Sequence, residues 1–117
     1  MQFKFYETSS GRSPVEEFLL GQSSDVQAQF ANTVARLLQG EMLEFPLSRN
    51  LSSIQRGLHE LRLRDRTGVF RVFYFVQLRD AIYFVHAFKK KTQKLPRNEV
   101  DLTLKRIQEI QPCHGKR

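Results

Sequence analysis

Arg62 and Arg64 stand two apart in the run Glu60-Leu61-Arg62-Leu63-Arg64, a spacing that puts both on one side of an extended strand. Arg71 lies inside the otherwise apolar run Val69-Phe70-Arg71-Val72-Phe73-Tyr74-Phe75. An arginine there costs free energy unless its head reaches water, a partner or a ligand phosphate, and the fold gains nothing obvious from it. Lys89-Lys90-Lys91 closes a third apolar run. The sequence has no clustered carboxylates for a metal, no His/Cys spacing for zinc and no glycine-rich phosphate loop. No cofactor or metal is therefore expected. What the set can do is hold a phosphodiester. RNA carries its own nucleophile, the 2′-hydroxyl. Fixed guanidinium and ammonium groups could stabilise the charge that grows on the phosphate, and a lysine crowded by like charges could relay the proton. Blander readings exist for each residue. Arg62 and Arg64 could be an ordinary solvated strand face, and Arg71 could pair with Glu60 or Asp65. Tyr74 and His86 read as core residues, and His59 reads only weakly as a proton-transfer group.

The residues that position this set show a period of two. Leu61 and Leu63 face one way, and Glu60, Arg62 and Arg64 the other. Asp65-Arg66-Thr67-Gly68 reads as a hairpin turn. Residues 69–76 read as a central strand, Gln77-Leu78-Arg79-Asp80 as a second turn and residues 81–88 as another buried strand. Short turns make these three strands antiparallel. Residues 89–94 form a basic exit loop, and Pro96 opens a helix with Val100, Leu104, Ile107 and Ile110 on one face. Upstream, residues 2–7 alternate as a first strand. Ser13-Pro14-Val15-Glu16 is a capping box that opens a helix ending at Gly21. Ser24, Asp25 and Gln27 open a second helix with the stripe Val26, Phe30, Val34, Leu37 and Leu38, stopped by Gly40. Residues 41–55 read as irregular. The prediction is an α+β fold: an N-terminal helical hairpin on one face of a small, mostly antiparallel four-stranded sheet, a C-terminal helix, and arginines alternating on the other face.

The chain of 117 residues suits one domain, residues 1–111, with a flexible tail at 112–117. Its charge is concentrated. Between residues 56 and 94 there are ten basic residues and three acidic ones, whereas the basic and acidic residues elsewhere cancel, so the whole net charge of +7 lies in this segment. Such a field favours phosphate-bearing partners, and Arg56, Arg66, Lys91 and Lys94 are expected to bind RNA around the centre. The single cysteine, Cys113, can form no internal disulfide, which suits a reducing compartment. The N-terminus has no apolar export segment and no stretch is long enough to span a bilayer, so a cytoplasmic protein without a membrane partner is expected.

Three blocks carry a family resemblance: Gly57-Leu58-His59-Glu60-Leu61-Arg62-Leu63-Arg64, then Gly68-Val69-Phe70-Arg71-Val72-Phe73-Tyr74-Phe75, then Ala87-Phe88-Lys89-Lys90-Lys91-Thr92-Gln93-Lys94-Leu95-Pro96. They resemble the HigB-like, phage-derived branch of the RelE toxin superfamily. The resemblance implies a RelE-like fold and a toxin of a toxin–antitoxin pair. It further implies a ribosome-dependent endoribonuclease that cuts messenger RNA and a small helix-turn-helix antitoxin as partner. By motif position it places Arg62 and Arg64 with the family's basic strand residues, Arg71 with the arginine that binds the scissile phosphate, and Lys89 or Lys90 with the basic residue after the last strand. Residues 89–96 lack the tyrosine or histidine that several relatives use for proton transfer, which leaves that role unassigned. A non-catalytic RNA- or ribosome-binding module on the same basic face is the competing reading.

Overall fold

Side chains that alternate through residues 58–89 build the centre of a five-stranded sheet. The computed structural model describes residues 2–77, 81–91 and 94–110. Its elements are β1 (Gln2–Phe5), α1 (Pro14–Leu20), α2 (Ser24–Leu38), β2 (Ser48–Asn50), β3 (Leu58–Asp65), β4 (Gly68–Gln77), β5 (Ala81–Lys89) and α3 (Arg97–Ile110). The sheet order is β1-β5-β4-β3-β2. Strands β2 to β5 pair antiparallel, whereas β1 runs parallel to β5 with Phe5 opposite Phe84. The expected four strands are thus five. The additional one, β2, lies in the stretch that reads as irregular, because it is three polar residues long and shows no alternation. The expected turn at residues 77–80 and the tail at 112–117, with Cys113, fall wholly or mainly outside the described residues.

Both faces of the sheet are covered, unequally. On one face Leu61, Leu63, Phe70, Val72, Tyr74 and Phe84 pack against Val15 and Leu19 of α1 and Val26, Phe30, Val34 and Leu37 of α2. The helical hairpin expected here does not form as a unit: α1 packs chiefly on β5 and α2 on β3, rather than on each other. On the opposite face Phe73, Phe75, Val85 and Phe88 pack against Ile107 of α3, which lies over β5. That leaves the β3–β4 side of this face to the arginines.

Local chemistry differs from the sequence pattern at α1. Ser13 occupies the N-cap, but its side chain makes no capping bond. Arg12 instead pairs with Glu17 through Nε and NH2. At α2, Ser23 is the cap and its hydroxyl accepts from the Val26 N–H at 3.3 Å. Gly57, at φ +87, precedes β3 where a Cβ would sit 2.9 Å from the Val76 carbonyl oxygen, so only glycine fits there.

The β3–β4 turn is tied to α2. The Asp65 carboxylate accepts from the Thr67 N–H at 2.8 Å, the Thr67 hydroxyl at 2.6 Å and the Ser23 hydroxyl at 2.7 Å. These bonds, led by the Thr67 hydroxyl, pull its pKa from 3.8 to about 2. A carboxyl depressed in the folded state contributes stability above pH 3.8 that disappears as the pH falls through about 2. Asp65→Asn is expected to remove this step, so acid titration of the melting temperature should fall less steeply for the variant over that window. Parallel curves for the two proteins would show that the ties contribute nothing.

Candidate functional site

Strand pairing sets Arg62 directly opposite Arg71, Glu60 opposite Phe73, and Arg49 of β2 opposite Glu60. Opposed residues share a face, so Arg49, Glu60, Arg62, Arg64 and Arg71 all belong to the side that α3 leaves open. Glu60 is the hub. Its Oε1 lies 3.3 Å from Arg62 Nε, and its Oε2 lies 3.0 Å from Arg71 Nε. The second contact is a charge pair off hydrogen-bond alignment. Glu60 and Arg71 are both inaccessible to solvent, whereas Arg62 keeps 19% of its side chain exposed.

Burial pushes the Arg71 guanidinium below its ordinary pKa; Glu60 opposes this, and Arg62 and Arg49 add to it by like charge. An arginine stays protonated through such shifts. One carboxylate thus lies between two guanidiniums, with Arg49 opposite it across the β2–β3 pairing, an excess of positive charge suited to an anion.

The structure brings some of the sequence-derived residues together and separates others. Arg62, Arg64 and Arg71 share the open face. Lys89 does not: it lies opposite Phe70 on the helix-covered face, and its ammonium stands 5.5 Å from the centre of the Phe70 ring. Lys90, just past the end of β5, donates its backbone N–H to the Val69 carbonyl at 2.7 Å. Arg66 is exposed in the β3–β4 turn, Arg56 is exposed beyond the other end of β3, and Lys91 and Lys94 are exposed after β5.

His59, Tyr74 and His86 all have structural partners. His59 stacks on Tyr74 with ring centres 5.0 Å apart, on the face away from the arginines, and burial pushes its pKa down. Tyr74 is buried, with its hydroxyl 2.8 Å from Ser48 Oγ. His86 joins β5 to α3, with Nε2 at 2.5 Å from Glu99 Oε1 and Nδ1 at 3.3 Å from Arg106 NH1. Burial lowers its pKa and Glu99 opposes that. The neutral tautomer with a proton on Nε2 satisfies both neighbours, so His86 is a satisfied core group. Arg106 also donates to the Val85 carbonyl at 2.8 Å, at the irregularity in β4–β5 pairing.

Two residues of the site escaped the sequence reading. Arg49 is hidden in the short polar strand β2. Phe45 lies in the loop before it, 67% exposed, with the Arg62 guanidinium carbon 5.2 Å from its ring centre. Among the described residues, no three of His, Cys, Asp and Glu stand close enough to hold a metal ion. Among the same residues, no helix is long and apolar enough to cross a membrane.

The family described as Phage derived protein Gp49-like (DUF891) matches residues 17–108, most of the chain. The chain belongs to this family. Gp49-like proteins are associated with the RelE-like toxins of toxin–antitoxin pairs, which implies an antitoxin partner. No curated protein matches the chain. The Gp49-like match takes in α2, the whole arginine face and nearly all of α3.

Proposed function

We propose that this Gp49-like protein is a HigB-type toxin: a ribosome-dependent endoribonuclease that cuts messenger RNA and is neutralised by a helix-turn-helix antitoxin in the cytoplasm. The observation that carries the reading is the buried Glu60–Arg71 pair, with Arg62 on the same carboxylate, Arg49 opposite it across β2–β3 and Arg64 further along the same sheet face. In this reading Arg49, Arg62 and Arg64 seat the scissile phosphate, and Arg71, buried against Glu60, adds its charge from beneath. The 2′-oxygen of the preceding ribose attacks phosphorus and the bond to the 5′-oxygen breaks, leaving a cyclic phosphate and a 5′-hydroxyl. The 2′-hydroxyl gives up its proton and the departing 5′-oxygen takes one up. The guanidiniums stabilise the extra negative charge in between. Lys90, just past β5 and bonded through its backbone to Val69 of β4, is the candidate proton carrier, and Arg66, Lys91 and Lys94 hold the flanking backbone. Lys89 and Arg56, which stand apart from the cluster, act in this scheme only through their charge.

A second reading has an observation in its favour. Both His59 and His86 are engaged elsewhere, and Glu60 is buried between arginines. A face with guanidiniums and, among the described residues, no exposed histidine–carboxylate pair also fits a non-catalytic RNA- or ribosome-binding module. Expression in growing cells, followed by mapping of messenger RNA 5′ ends, separates the two. The toxin reading expects growth arrest with new ends inside translated messages and little cutting of free RNA. Binding to RNA or ribosomes without new ends would leave only the module.

A further inference from the structure

We infer that Phe45 and Arg62 form a stacking shelf for an unpaired nucleobase of the RNA held on the arginine face. The inference rests on the RNA-binding reading above and adds to it how a nucleotide is held beside the phosphate.

Phe45 is one of four large hydrophobic side chains exposed among the described residues, and it alone of the four is in contact with a guanidinium of the cluster. Its place is fixed by the neighbouring chain. The Arg62 N–H donates to the Leu47 carbonyl at 2.9 Å, which holds the loop against β3, and Ser48 then pairs with Leu61. Arg62 is in turn oriented by Glu60 at 3.3 Å. The line across the open face therefore runs Phe45 ring, Arg62, Arg71. A guanidinium over an aromatic ring is an attractive cation–π contact, and it leaves the rest of the ring to solvent. An aromatic ring two-thirds exposed is costly in water and gains most from a flat apolar partner.

A base is tethered to its phosphate through one sugar, so a phosphate held by the partly exposed Arg62 brings an attached base within reach of the Phe45 ring. Every base has a π-face, so the contact would tolerate any sequence while demanding an unpaired nucleotide. Exclusion of duplex RNA is the corollary, because a base inside a helix already stacks on its neighbours.

The chain has no tryptophan, so Phe45→Trp gives the protein a single fluorescent reporter at this position. The probes are a single-stranded ribo-oligonucleotide and an abasic oligonucleotide of equal length and charge. The base-bearing strand should quench the new fluorescence and the abasic strand should not, though both bind. Phe45→Leu should weaken binding of the base-bearing strand about tenfold and leave the abasic strand unchanged, with an unaltered melting curve because the ring is exposed. Equal loss for the two strands would make Phe45 a mere support for Arg62 and overturn the shelf. Unchanged affinity of Phe45→Leu for both strands would overturn it as well and leave the ring to a protein contact. If the unaltered protein binds neither strand, the RNA-binding reading itself falls, and the shelf falls with it.

Discussion

Arg71→Ala should lose RNA cleavage and much of its stability together, because its guanidinium is one half of a buried charge pair. The substitution leaves the Glu60 carboxyl group inaccessible and short of one of its two cationic partners. Breaking such a pair typically costs about 3–5 kcal/mol, a fall in melting temperature on the order of 15 °C for a domain of this size. The loss of activity from the single variant would then be ambiguous. The combined variant Glu60→Leu, Arg71→Met resolves it. Apolar side chains of similar volume can replace a buried pair with little loss of stability, so the double variant should melt near the unaltered protein. Its cleavage per folded molecule should still be about 10²- to 10³-fold lower, the usual consequence of losing a group that stabilises charge in the transition state. A stable double variant that cuts RNA at full rate would reduce Arg71 to a structural residue and remove its charge from the proposed mechanism.

Charge reversal of Arg62 and Arg64 to glutamate is the second large effect. Neither side chain is fully buried, so the fold should survive, while the net charge falls from +7 by four units. Affinity for single-stranded RNA should drop steeply at low salt. The slope of log affinity against log salt concentration should become shallower by about 0.7 for each phosphate that the protein no longer neutralises, or about 1.4 for the pair. Growth arrest on expression should disappear with it. An unchanged salt slope would show that RNA approaches some other surface.

The centre of the fold was legible because its physics is local. Alternation through Leu61, Leu63, Phe70 and Val72 and the Asp-Arg-Thr-Gly turn define β3, β4 and the antiparallel register that sets Arg62 beside Arg71. Glu60 was equally legible in principle. It lies two residues before Arg62, hence on the same face, and it supplies Arg71 with the partner that β4 alone does not provide. What could not be read depends on contacts between distant segments. Three polar residues become β2 only because the edge of β3 is there to receive them. The parallel placement of β1 follows from β5, not from its own pattern. Phe45 owes its position to the Leu47–Arg62 hydrogen bond, and an aromatic residue in an irregular stretch carries no periodicity to betray it.

The parallel seam between β1 and β5 has a consequence for the order of assembly. Strands β3, β4 and β5 meet through short connections, so the arginine face can form with little loop-closure entropy. The first strand is different. Its contacts reach the far end of the chain, where the hydroxyl of Tyr6, just past β1, bonds Glu109 across 103 residues of sequence at 2.5 Å and Arg106 covers the same ring at 4.9 Å. During synthesis β1 therefore waits for β5 and α3 before it finds its place. The meander that carries the candidate site can therefore condense first, and the seam that ties β1 to β5 and α3 can close over it only once all three segments are made.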